Sequence, residues 1–117
     1  EAVLASNDGT AGGAIQALRE AGLEGRVLVT GQDADLVACQ RIARGTQSMT
    51  IYKPLPRLAL AAAELAMNMA QGRPVVAREV LSNGHRDVPS VFEEVVAVDA
   101  KNLRETVIAD GFHTEAD

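Results

Sequence analysis

Residues 2–18 read AVLASNDGTAGGAIQAL, and their order decides the fold. Ala2 to Ala5 is a short apolar run, and Ser6-Asn7-Asp8-Gly9-Thr10 is a turn. Ala11 to Ala21 is rich in alanine, carries Ile15 and Leu18 three positions apart, and stops at Gly22. A short apolar run bounded by turn residues predicts a buried strand, and apolar spacing of three predicts a helix face. A glycine just past the last periodic residue predicts the helix end. The same order then repeats. Arg26 to Thr30 (RVLVT) is a strand, Gly31-Gln32-Asp33-Ala34-Asp35 a turn, and Leu36 to Arg44 a helix closed by Gly45. Gln47 to Tyr52 (QSMTIY) is a third strand, ended by Pro54. Strand–helix–strand–helix–strand at this spacing implies a parallel sheet with right-handed crossovers. Strands that are apolar on both faces fit a sheet flanked by helices.

Beyond Pro54 the rhythm changes. Leu55 to Gln71 is the longest predicted helix, with Leu58, Ala62, Leu65 and Met69 on one face and Leu60 and Met67 widening it. That breadth predicts a largely buried helix, with Met67 and Met69 as gap-filling core residues. Val75 to Leu81 is a weaker strand, Ser82 to Asp87 a polar turn whose Asn83-Gly84 pair signals a hairpin, and Ser90 to Val98 another strand. Asp99 caps a last helix, Lys101 to Asp110, whose seam is Leu103 and Val107; Gly111 ends it, and Thr114 to Asp117 is a loose tail.

The bulk numbers set limits. A chain of 117 residues holds one core of ordinary size. A net charge of −5 with scattered basic residues and 3% aromatics argues against a nucleic-acid partner, which needs clustered Lys and Arg and stacking rings. Cys39 is the one cysteine, so the chain forms no disulfide within itself. No apolar run reaches membrane-spanning length. Glu1 to Leu4 already reads as the start of a strand, without an initiator Met or a leader, which suggests a piece of a longer or processed chain.

In an open parallel sheet, ligands bind outside the carboxyl ends of the strands. Asn7, Asp33 and Lys53 follow the first, second and third strands there, about one strand–helix unit apart. Asn donates and accepts hydrogen bonds, Asp accepts several, and Lys donates up to three, which is the mixture that vicinal sugar hydroxyls require. Spacing alone equally allows cap or turn roles for Asn7 and Asp33 and a surface charge at Lys53. Gly9 to Gly13 lacks the order of either phosphate-loop motif, and close strand–helix packing is the plainer reason for its glycines. His85 and His113 lie far apart and Asp33 and Asp35 lack the other calcium-loop positions, so no metal or other cofactor is expected. Cys39 has no neighbouring His, there is no G-x-S-x-G, and Glu93 and Glu94 point to opposite faces of a strand. The residues point away from an enzyme.

Ser6 to Ala14, Gly31 to Asp35 and Thr46 to Pro54 resemble, in order, three strand-end motifs of the xylose-binding periplasmic proteins, and Asp99 to Phe112 resembles that family's C-terminus. Arg73 to Val88 matches least well. The resemblance implies a type I periplasmic-binding α/β fold, Rossmann-like, incomplete as a two-lobe protein. It implies that residues 1–53 form part of the C-terminal sugar-binding lobe, that 54–88 cross the hinge and place a helix in the N-terminal lobe, and that 89–117 return to the C-terminal lobe. It implies D-xylose or a similar monosaccharide as ligand on Asn7, Asp33 and Lys53, the membrane subunits of an ABC importer and the remaining N-terminal part of the same protein as partners, and a periplasmic or other extracytoplasmic location. The family's aromatic rings that hold the sugar lie in the absent portion; this chain has no Trp. A sugar-sensing effector domain of a transcription regulator or sensor system shares this fold and is the alternative reading.

Overall fold

The computed structural model describes residues 1–117. The chain divides into two compact units, one formed by Glu1–Lys53 with Val95–Asp117 and the other by Pro54–Glu94.

The first unit contains β1 (Ala2–Val3), α1 (Asp8–Glu20), β2 (Leu28–Val29), α2 (Leu36–Ala43), β3 (Thr50–Tyr52), β6 (Val96–Val98) and a π-helix, Arg104–Ile108. The helices stop where glycine permits a left-handed turn: Gly22 (φ 70°) and Gly45 (φ 79°) close α1 and α2 in Schellman motifs, with Leu23 N donating to Leu18 O and Thr46 N to Arg41 O. β1 and β2 pair in parallel, Ala2 with Leu28 and Val3 with Val29. Ile51 N donates to Gly31 O and Asp33 N to Ile51 O, the alternation of a parallel ladder, so the third strand end lies beside the second. β3 and β6 pair antiparallel, Thr50 with Val98 and Tyr52 with Val96. Two small cores result. Ala11, Ile15 and Val29 pack α1 on the sheet, joined by Val3, Ala5 and Leu18; Ala34, Cys39, Tyr52, Val98 and Val107 form the other, joined by Leu103 and Phe112.

The strands are shorter than the apolar runs that predict them, because turn and side-chain bonds take over the backbone at their ends. The helix expected over 101–110 begins with Asp99 Oδ1 accepting from Lys101 N at 2.7 Å, and then widens: Ile108 N donates to Leu103 O and Ala109 N to Arg104 O, one residue further than in an α-helix. The Thr106 hydroxyl, which donates to Asn102 O at 2.7 Å, occupies a carbonyl the regular ladder would use.

The second unit contains α3 (Leu55–Ala70) and a hairpin of β4 (Glu79–Ser82) and β5 (Asp87–Ser90). The Asn-Gly turn stands where expected: Asn83 Oδ1 accepts from His85 N and Arg86 N, both at 3.0 Å, and Ser82 pairs with Asp87. The strand predicted over 90–98 is two strands, β5 and β6, separated by residues 91–95. α3 corrects the expectation of burial. No residue of it is buried, and Met67 and Met69 are 59% and 66% exposed, so neither is a core residue of this chain. Leu58, Leu60, Met67 and Met69 on its apolar side are 46–66% exposed.

Candidate functional site

The three loops at the carboxyl edge are tied side by side by their backbones. Asp8 N donates to Gln32 O at 2.8 Å, and Asp33 N donates to Ile51 O at 2.8 Å. Each loop carries one of the residues singled out from the sequence.

Asn7 is the N-cap of α1. Its Oδ1 accepts from Thr10 N and from the Thr10 hydroxyl, both at 2.8 Å, and Thr10 Oγ1 accepts in turn from Asn7 N at 3.3 Å, completing a capping box. The cap role that spacing left open is therefore real for the oxygen. The amide nitrogen is not used by the cap, and the cap fixes the direction in which it can donate.

Asp33 and Lys53 come together. Lys53 Nζ lies 2.6 Å from Asp33 Oδ1, with both side chains little more than one-third exposed. The loop that carries Asp33 is strained: Asp33 has φ 100° and Ala34 φ 52°, two successive non-glycine residues in the left-handed half of the map. Such conformations cost on the order of 1–3 kcal/mol each and persist only where neighbours over-determine them. Here Ala34 N donates to Thr50 Oγ1 at 3.2 Å and Asp35 N to Asp8 Oδ2 at 2.9 Å.

Asp8 is the residue that spacing arguments missed. It is 1% exposed, and its carboxylate accepts from Asp35 N, Gln47 Nε2 and Thr50 Oγ1, each at 2.9 Å. Arg41 completes the network, donating from Nε to Gln47 Oε1 at 2.9 Å and from Nη2 to Asp8 O at 3.1 Å. One buried carboxylate thus joins the loops of Asn7, Asp33 and Lys53. A signal existed: Gln47 and Thr50 are polar residues in the run 47–52 that reads as a buried strand, and polar groups there need a buried partner. Gly31 is glycine because a Cβ there would lie 2.0 Å from Asp8 Oδ1 and 2.6 Å from Gln47 Nε2. Of the glycines at 9, 12 and 13, only Gly12 faces a close neighbour outside its own loop, the Arg41 guanidinium at 3.2 Å from an added Cβ; at Gly13 a Cβ would meet nothing within 4 Å, so close packing does not explain that glycine.

Cys39 lies behind the loop, its thiol donating to Ala34 O at 3.5 Å. Burial first, then the charges of Asp8 and Asp35, push the thiol up to about 11 from its usual value near 9.0. The folded protein keeps a proton that the unfolded chain loses, so this contribution to stability is whole below pH 9.0 and is lost as pH rises through about 11. The native thiol is expected to stay unmodified by an alkylating reagent at pH 8 and to react fully in denaturant; mass spectrometry before and after unfolding checks it.

His85 lies in the hairpin turn and His113 bonds Ala34 O, so the two histidines do different things. No group of three or more His, Cys, Asp and Glu side chains could hold a metal ion. No helix is long and apolar enough to cross a membrane.

Polar side chains gather at the carboxyl edge of the α/β sheet in the first unit, the edge outside which ligands bind in sheets of this kind. Residues 1–74 match the periplasmic binding protein domain, and the chain belongs to that family. It is 52% identical to the D-xylose-binding periplasmic protein of Haemophilus influenzae over 98% of its length, covering 35% of that protein. It is 52% identical to the D-xylose-binding periplasmic protein of Escherichia coli over 100% of its length, covering 36% of it. A carbohydrate transporter solute binding protein from Chloroflexus aurantiacus, solved in complex with D-glucose, matches with a TM-score of 0.90 and 35% identity over 98% of this chain and 34% of its own. The chain spans about a third of the length of these relatives. The fold is the partial type I periplasmic-binding α/β fold that the strand-end motifs imply.

Proposed function

We propose that the chain is the C-terminal part of a solute-binding protein that takes up a pentose, D-xylose or a similar monosaccharide, and delivers it to the membrane subunits of an ABC importer outside the cytoplasm. Asn7, Asp33 and Lys53 bind the sugar, without cofactor or catalysis. Residues 1–53 and 89–117 belong to the lobe that carries these three residues, and residues 54–88 cross the hinge and contribute a helix to the other lobe, whose remainder lies in the N-terminal part of the protein. The two 52% identical relatives named for D-xylose support the choice of sugar.

The observation that carries the reading is the strained Asp33–Ala34 turn, with φ 100° and 52°. An ion pair as exposed as Asp33–Lys53 contributes at most about 1 kcal/mol, less than the turn costs. The hydrogen bonds of Ala34 N and Asp35 N, not the ion pair, hold the turn, and they fix the direction in which the Asp33 carboxylate points. Asp33 offers acceptors and Lys53 donors side by side, suited to adjacent hydroxyls. Calorimetric titration of the intact protein with pentoses is expected to give saturable one-site binding; no heat with any pentose refutes the reading. Lys53 precedes Pro54 and so stands where the chain enters the hinge. Small-angle scattering of Lys53→Met with saturating sugar should show incomplete lobe closure. Native closure would remove Lys53 from that role.

A further inference from the structure

The turn that carries Asp33 is held from four directions. Three are the backbone donors of Asp33, Ala34 and Asp35, bonded to Ile51 O, Thr50 Oγ1 and Asp8 Oδ2. The fourth is the Ala34 carbonyl, which lies 2.8 Å from His113 Nε2, 79 residues along the chain. Because a carbonyl only accepts, Nε2 carries the proton. Its other donor is the Cys39 thiol at 3.5 Å, a weak one.

His113 belongs to a segment that also packs on Tyr52, the residue before Lys53. Its ring packs on Phe112 with centroids 4.7 Å apart, and Phe112 packs on Tyr52 at 5.1 Å. The Tyr52 hydroxyl donates to Asp110 Oδ2 at 3.3 Å. Ala34 follows Asp33 and Tyr52 precedes Lys53, so Asp110 to His113 touch the immediate neighbours of both charged residues.

We propose that His113 is a positioning residue for the sugar site: its hydrogen bond to Ala34 O holds the left-handed turn that aims the Asp33 carboxylate at Lys53 and the ligand. Ala34 is fully buried, so a carbonyl deprived of that bond keeps only the thiol. The peptide between Ala34 and Asp35 then keeps only the bond of Asp35 N to Asp8 and the weak thiol contact, so the turn holds the Asp33 carboxylate beside Lys53 less firmly. This rests on the reading of Asp33 and Lys53 as sugar ligands.

The test uses the intact protein with His113→Ala and His113→Gln, whose amide nitrogen reaches the place of Nε2. Pentose affinity should fall about tenfold in His113→Ala and stay within about threefold of native in His113→Gln. Without sugar, backbone hydrogen exchange at residues 33–35 should quicken in His113→Ala and not in His113→Gln. A merely structural histidine would lower stability alike in both variants with no recovery by glutamine. Native affinity and native exchange in His113→Ala overturn the proposal, as does an equal loss of affinity in both variants. Asp33→Ala separates the two ideas. If it binds sugar normally, the site reading fails. If it abolishes binding while His113→Ala binds normally, the site stands and the positioning role falls.

Discussion

Gly31→Ala lowers the unfolding free energy of the intact protein by about 3 kcal/mol, an expected loss far beyond that of a methyl added at a surface position. The added Cβ would sit 2.0 Å from Asp8 Oδ1 and 2.6 Å from Gln47 Nε2. Neither neighbour can yield cheaply. Asp8 is a short side chain, and its oxygens are held by Thr50, Gln47 and Asp35 N. Moving the carboxylate frees these buried donors, each loss costing on the order of 1–3 kcal/mol. Denaturant melts of Gly31→Ala, Asp8→Ala and the double variant check the cause. If the methyl acts through the carboxylate, the double variant costs well under the sum of the singles. Strict additivity would place the strain elsewhere.

Asp33→Ala should weaken pentose binding by at least about a hundredfold. A carboxylate accepting from sugar hydroxyls contributes roughly 1.5–3 kcal/mol per charge-assisted bond, and two such bonds exceed the 2.8 kcal/mol or so that a hundredfold requires. The Lys53 ammonium, now paired with Asp33 Oδ1 at 2.6 Å, would lose its counter-charge as well. Asp33→Asn keeps the shape and one acceptor and should fall between, near tenfold. Thermal stability should change little in either variant, because the pair is partly exposed and worth about 1 kcal/mol at most. Calorimetry with D-xylose measures the affinities; unchanged affinity in Asp33→Ala would end the proposed role.

The strand–helix rhythm was legible because short apolar runs, turn residues and helix-ending glycines agree locally through Tyr52. The three strand-end residues were legible for the same reason: a parallel sheet brings its carboxyl ends together whatever else it does. The hub at Asp8 was not. Its partners Gln47 and Thr50 lie 39 and 42 residues away, and beside Asn7 it reads as one more turn residue. The strained turn was equally hidden, since Asp33 and Ala34 show no glycine to announce a left-handed backbone. α3 shows the opposite limit. Its periodicity predicts a helix correctly, but a pattern cannot tell whether the surface that covers it is supplied by the same stretch of chain. The π-helix turns on one hydroxyl at Thr106, which no periodicity contains.

The pairing of Tyr52 with Val96 has an architectural consequence. These are the last partners of an antiparallel ladder, so the chain leaves β3 and re-enters at β6 at neighbouring points of one edge. Such an edge can be closed by a tight turn of two to five residues. Residues 54–94 are in that sense an excursion from a hairpin, and a graft that replaces them with an Asn-Gly turn would keep the sheet, the Asp8 hub and the Asp33–Lys53 pair in a single uninterrupted minidomain.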